Sequence, residues 1–186
     1  MAVAQAPTSH DLASTLARDW GVQVKNDKGE WVFVRGLSKF APKTTPTMKD
    51  DSDIDSRGYK SQIATALQMT FEGEGFRKGT LDGETFKQDE GQAILREVGR
   101  KMGLRNVIQA RCWRTDGVDE GYESYFSVEW ADTDGGNEDL DQFSFTMMSR
   151  GEPQRIKPVT DPKGASVKTG GDSGFTNAGD SVVSTG

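Results

Sequence analysis

One cysteine and one histidine are all that 186 residues offer of the two side chains on which most nucleophilic and metal chemistry is built. His10 lies in a polar, alanine-rich N-terminal stretch, so no Ser-His-Asp, Cys-His or histidine-ligated metal arrangement can be assembled within one chain. Cys112 has no partner for an intramolecular disulfide, and its place in an alternating apolar stretch predicts a buried, inert thiol. Long apolar runs are missing too. No segment approaches the ~18 residues that a membrane helix needs, and the start lacks the basic and apolar regions of a signal peptide. The expectation is a chain made in the cytoplasm that stays soluble, with no membrane contact, no cofactor and no metal. A hydrophobic fraction of 33 % with 22 glycines further predicts that part of the chain is not core.

Charge is distributed unevenly. Between Arg114 and Arg150 stand ten acidic residues, Asp116, Asp119, Glu120, Glu123, Glu129, Asp132, Asp134, Glu138, Asp139 and Asp141, and no basic one. The net charge of -6 therefore leaves +4 for the rest of the chain. A protein that grips phosphate needs a basic patch, so this region argues against nucleic-acid binding. A solvated acidic face is the plain alternative.

The pattern predicts a mainly β chain. Residues 1–19 read as an N-terminal arm, 20–159 as a β-sandwich domain with one flanking helix, and 160–186 as a Gly/Ser-rich C-terminal arm with too few large apolar groups to order alone. Val22 and Val24, the turn Asn26-Asp27-Lys28-Gly29 and the apolar run Trp31 to Phe40 signal a hairpin. Residues 41–58, with Pro42, Pro46, four aspartates and Gly58, show no periodicity and predict a long loop. Alternation of Ile63, Leu67, Met69 and Phe71 with Gln62, Gln68 and Thr70 predicts a half-buried strand over 61–71, followed by a glycine-rich turn at Gly73, Gly75, Gly79 and Gly83. Ala93, Ile94, Val98 and Met102 recur at helical spacing, giving one helix over roughly 87–102 that stops at Gly103. Strands follow at 106–114, 122–133 and 140–149, with Tyr122, Phe126, Val128 and Trp130 on a dry face and Glu123, Ser127, Glu129 and Thr133 on a wet one. In the last strand Phe143, Phe145 and Met147 oppose Gln142, Ser144 and Thr146.

The chemical motifs are weak. Asp51-x-Asp53-x-Asp55 starts like a calcium loop, but Ser56 stands where glycine is required and Gln62 where glutamate closes the loop. Gly73-x-Gly75 lacks the third glycine and the immediate helix of a phosphate-binding turn, which leaves a hairpin or flexible loop. Glu123 and Glu129 have no evident desolvating pocket for acid-base work.

The order Trp20-Gly21-Val22, then Trp31-Val32-Phe33-Val34-Arg35-Gly36-Leu37-Ser38-Lys39-Phe40-Ala41-Pro42, then the aspartates at 50–55 and the stretch Ser61 to Phe71, resembles the N-terminal half of major tail-tube proteins of long-tailed, siphophage-type bacteriophages. The likeness covers residues 18–75 and fades through the helix and later strands. It implies a non-enzymatic subunit of the virion tail, made in the host cytoplasm, whose hexameric rings stack into a tube for genome delivery. It also implies relatedness to type VI secretion tube proteins, and as partners further copies of itself, a tape-measure protein, tail terminator and distal tail proteins, and double-stranded DNA in transit without specific binding. Strand wet faces would then line the lumen, with Glu123, Glu129, Gln62, Gln68, Gln142, Ser144 and Thr146. The loop residues Lys43, Lys49, Asp50, Asp51, Asp53, Asp55 and Arg57 would make contacts between subunits or rings. The alternative is a β-sandwich binding or virion decoration module with Trp31, Trp113 and Trp130 as platform residues, although alternation puts Trp130 with the core aromatics. An enzyme of unknown type is a third reading.

Overall fold

A computed structural model describes residues 14–169, apart from 17, 134, 135 and 137. The arm read at 1–19 and the end of the chain from 170 therefore fall largely outside the described residues. Strand β1 (Trp20–Lys25) turns at Asn26, whose side-chain oxygen accepts from the Lys28 and Glu30 amides, and returns as β2 (Trp31–Phe33). Three residues later β3 (Leu37–Asp50) begins, and it forms a long hairpin with β4 (Gln62–Phe76). A small separate hairpin, β5 (Gly79–Asp82) and β6 (Thr85–Gln88), leads into α1 (Glu90–Gly99). Then come β7 (Val107–Arg114), β8 (Gly121–Thr133), β9 (Gln142–Ser149) and the short β10 (Gln154–Arg155).

All large strands join one antiparallel sheet in the order β2-β1-β7-β8-β9-β4-β3, with β10 attached to β8. A flat sheet would hold β2 and β3 six strand spacings apart, about 29 Å at ~4.8 Å each. The link from Phe33 to Leu37 can stretch only about 14 Å. The sheet must roll until its edges meet, and the ring contacts follow that roll: Trp20 of β1 meets Phe40 of β3 at 5.8 Å, and Phe40 meets Phe71 at 5.6 Å. Inside lie Val22, Val24, Ala110, Cys112, Phe126, Val128, Phe143, Phe145 and Met147, closed at one side by Leu95 of the helix. Cys112 is buried as expected, and burial pushes its thiol well above the usual range, so it stays protonated.

The corner Val34–Gly36 is pinned by the start of α1. The Asp89 side chain caps the helix by accepting from the Gln92 amide, and it also accepts from the amide and Nε of Arg35. Fully buried Gln92 donates to the carbonyls of Arg35 (2.6 Å) and Phe76 (3.1 Å) and accepts from the Lys78 amide. Gly36 sits at φ +79°, and a Cβ there would stand 2.6 Å from the Phe76 carbonyl oxygen.

Several expectations change. The run Trp31 to Phe40 is two strands on opposite edges of the sheet, because the Gly36 corner breaks it. Residues 41–50 are strand, not loop: β3 is an edge strand, where Pro42 and Pro46 can replace amides that face no neighbour, so prolines do not interrupt it. Gly73 and Gly75 do not turn but lie inside β4, where missing side chains admit the Phe145 ring and the Gly36 carbonyl. Residues 160–169 belong to the folded body. Lys157 donates its amide to Val167 and Thr169 to Arg155, laying the segment as a strap across β1 and β7.

Arg111 of β7 holds that strap. It is fully buried and has no ion-pair partner among the described residues, donating instead to Gln23 Oε1 (2.8 Å), the carbonyls of Pro162 (2.9 Å) and Gly164 (3.0 Å) and Ser166 Oγ (2.9 Å). Its guanidinium lies 4.2 Å from the centre of the Trp31 ring and 5.6 Å from that of Trp113. Burial lowers its pKa, against the opposing pull of Glu123 and Asp161, but a guanidinium keeps its charge through such a shift.

Replacing Gly36 by alanine should cost about 2–4 kcal/mol, since strain and a carbonyl clash combine. Gly29→Ala, at φ +81° with open space around it, should cost only about 1 kcal/mol. Urea unfolding of both variants checks the contrast. Arg111→Met should orphan several acceptors and lower stability by about 2–4 kcal/mol; trypsin should then cut after Lys163 and Lys168 in the otherwise folded protein. Unchanged resistance at these two lysines would show that Arg111 does not hold the strap.

Candidate functional site

The face of the sheet turned away from the core is built from alternate residues of the strands, and its open part from those of β8, β9, β4 and β3. Register aligns Glu129 with Thr146, Thr146 with Glu72 and Glu72 with Ala41 in one row. The next row holds Ala131, Ser144, Glu74 and Lys39, and Thr133 pairs with Gln142 beyond it. Gln68 falls on the same side of β4 by alternation with Thr70 and Glu72. The structure thus gathers Glu129, Gln142, Ser144, Thr146 and Gln68 on one open face. Gln62 is not among them, because it pairs with Asp50 at the far end of the hairpin, beyond the reach of β9 and past a register shift at Thr47/Met48.

Glu123 shares the face but not the openness. Gln109 Nε2 donates to one of its carboxylate oxygens at 2.7 Å, Gln154 of β10 pairs beside it, and its second oxygen is buried without a hydrogen bond among the described residues. Sequence reasoning placed none of four charged groups here and assigned one of them, Lys43, to the contact loop instead. Lys39 pairs with Glu74 at 2.7 Å and Lys43 with Glu72, so the face carries interleaved charges of both signs. The signal was available in the alternation of Gln68, Thr70, Glu72 and Glu74, which continues past the position where a turn was expected.

The acidic run does not form one surface. Asp116 is bound by Arg114, Asp141 by Arg77 (2.6 Å), and Asp132 by Arg96 (2.9 Å), Arg100 (3.2 Å) and the Trp130 ring nitrogen (2.9 Å). Burial alone would raise the Asp132 pKa, but the hydrogen bonds from Trp130 and Arg96 outweigh it and lower it. These contacts clamp α1 onto β8. The three candidate platform tryptophans are engaged: Trp113 is buried, Trp31 stacks on Arg111, and Trp130 lies flat on Phe143 at 4.6 Å.

The most exposed feature is the outer hairpin. Beyond the Thr70–Met148 pair, residues 44–50 and 62–68 run on with both faces exposed. Eight residues at ~3.3 Å carry the ribbon roughly 25 Å past its last pairing with β9. Of the expected contact residues, Lys49, Asp50, Asp51, Asp53, Asp55 and Arg57 lie at its distal end, and Lys43 lies at its base on the open face. Asp50 accepts from Ser52, which shapes the turn and lowers the carboxyl pKa. Among them sit large apolar groups that cover nothing: Ile54 (98 % exposed), Tyr59 (82 %) and Leu67 (71 %), with Met48 and Ile63 alongside. Among the described residues no three acidic, histidine or cysteine side chains converge as a metal site.

No family profile matches the chain, and no curated protein does. Solved structures do. A chain of the virion of a native gene transfer agent particle superposes with a TM-score of 0.53 at 15 % identity, over 76 % of this chain and 98 % of that one. A chain from the tail of an empty gene transfer agent particle, refined with C6 symmetry, gives 0.54 at 15 % identity with the same coverage. A chain of the six-fold symmetrised baseplate of the anti-feeding prophage gives 0.51 at 8 % identity, over 78 % of this chain and 97 % of that one. At these identities the likeness is one of fold, and the rolled sheet with a flanking helix is a fold shared with chains of these tail and baseplate particles.

Proposed function

We propose that this chain is a structural, self-assembling subunit of a phage-type tail and not an enzyme. Its copies close into hexameric rings, and the rings stack into a tube through which double-stranded DNA passes without specific binding. The observation that carries this reading is the outer hairpin. A two-stranded ribbon exposed on both faces is marginal by itself, and this one also presents Ile54, Tyr59, Ile63 and Leu67 to water. Covering each large apolar side chain contributes about 1.5–3 kcal/mol, so contact with another copy stabilises what the single chain leaves bare. The six-fold tail and baseplate particles that contain chains of this fold support the same direction, as does the resemblance of residues 18–75 to tail-tube proteins. On this reading the chain resides in the virion tail after synthesis in the host cytoplasm. A tape-measure protein, tail terminator and distal tail proteins are its further partners, and type VI secretion tube proteins are its relatives.

In such a tube the open face around Glu129, Thr146, Ser144, Gln142 and Gln68 lines the lumen. Duplex DNA carries one negative charge per ~1.7 Å, and unpaired cations facing it release counterions and bind it. Lys39 and Lys43 on this face are already paired with glutamates, so they offer no free cation to the passing strand.

Replacing residues 47–64 with Asn-Gly should leave a folded, strand-rich monomer by circular dichroism that forms no tubes under the electron microscope. Normal tubes from the shortened chain contradict the role of the hairpin. Glu129→Lys with Thr146→Lys should leave rings intact and slow genome ejection, most at low salt where the Debye length is long. Normal ejection at low ionic strength would remove these residues from the lumen.

A further inference from the structure

The short strand β10 continues β9 after the link 150–153. Both run antiparallel to β8, with Ser149 opposite Phe126 and Gln154 opposite Glu123. Because Arg111 of β7 holds the other edge of Glu123, β10 lies on the β9 side of β8. The edge of β10 turned away from β8 is therefore in line with the edge of β9 that carries β4. The end of the strap takes that edge: Lys168 bridges Ile156, Lys157 donates its amide to Val167, and Thr169 donates its own to Arg155. Strand β4 leaves β9 just before this point. Its last rung joins Thr70 to Met148, and the adjoining Met69 amide donates to the Ser149 side chain at 3.2 Å.

Strap end and outer hairpin thus contend for one edge. Each runs antiparallel to the line of β9 and β10, so both enter it in the same direction. Counted down β8 from the common level of Thr70, Met148 and Ser127, an unbroken β4 would set Ala66 opposite Gln154, Thr65 opposite Arg155 and Ala64 opposite Ile156. Thr169 and Lys168 stand in the places of Thr65 and Ala64. Ala64, Thr65 and Ala66 are small and exposed, and β3 is their one partner strand among the described residues. Their other edge leaves backbone groups open to pairing.

We infer that the strap end and β4 are alternative occupants of the β10 edge, so that release of the strap lets residues 64–66 zip onto 154–156. The seated strap keeps the hairpin standing off the sheet. Two backbone hydrogen bonds and the bridge hold its end, and Arg111 holds its loop. The competing strand is already tethered at Thr70, so it closes by extending an existing ladder with little loop entropy left to lose. Under the self-assembly reading, the strap sets whether the hairpin is presented to a second copy. The exchange itself belongs to the single chain, and its test needs no assembly.

Disulfide trapping in the full chain tests it, with Cys112 buried and out of play. Ala66→Cys with Gln154→Cys puts one thiol on each strand at exposed positions, and opposed residues of an antiparallel ladder lie within disulfide reach. With the strap seated, mild oxidation should join them slowly. Adding Thr169→Pro removes the amide bonded to Arg155, and adding Arg111→Met instead removes the anchor of the loop. In either background trypsin should cut after Lys163 and the disulfide should form about fivefold faster; without the two cysteines, the amides of 64–66 should exchange about tenfold more slowly. Protected amides in β7 and β8 show that the body stays folded, and Thr169→Pro decides alone if Arg111→Met does not. Unchanged disulfide formation and unchanged hairpin exchange in a chain whose strap trypsin cuts would overturn the inference. A strap that resists trypsin in both variants would overturn it too, because these contacts would then not be what holds the edge.

Discussion

Three residues join the two outermost strands of the sheet, and that short tether decides most of the structure. Val34, Arg35 and Gly36 are too few to cross a flat sheet, so the sheet rolls, and rolling brings Trp20 onto Phe40 and encloses the aromatic core. The tether also exposes backbone groups that need partners away from water. Gln92 and Asp89 supply them from the first turn of α1, which is why the helix lies where it does and why Gly91 packs directly against Phe33 and Val34. Here the Val34-Arg35-Gly36-Leu37 pattern acquires a physical meaning: it is the corner at which the sheet closes.

Once the inner part of β3 is fixed by that corner, its outer part has no sheet left to join. The same strand is core at Phe40 and solvent-exposed from Lys43 onward. Prolines on its outer edge discourage unregulated strand addition, while Ile54, Tyr59 and Leu67 keep a specific apolar contact available. The opposite half of the open face is handled differently. There the strap over Arg111 covers β1 and β7, and the uncovered remainder carries paired charges and small polar groups.

How far the sequence discloses this depends on the range of the interaction. Period-two alternation in β7, β8 and β9, and the helical spacing around Ile94 and Val98, are local, and the corresponding elements lie within a few residues of where the pattern puts them. The gathering of Glu129, Ser144 and Thr146 follows from that alternation together with antiparallel pairing. Residues 41–50 are misjudged because proline and aspartate argue against a strand unless it is known to be an edge, and edge position is a property of the whole sheet. Gly73 and Gly75 mislead in the same way, since glycine within a strand is explained only by the Phe145 ring 72 residues after Gly73. Arg111 is the hardest case. Nothing in its neighbourhood announces that a glycine- and serine-rich segment folds back to supply carbonyls in place of a carboxylate.

The central claim is that the outer hairpin exists for contact between copies. Amide hydrogen exchange compares it directly in dilute protein and in pelleted assemblies. The amides of residues 44–50 and 62–68 should exchange within seconds in the dilute chain and slow by at least a hundredfold on assembly, while those of β7 and β8 stay protected in both. Equal exchange of the hairpin in the two states, with assemblies present, would contradict the account.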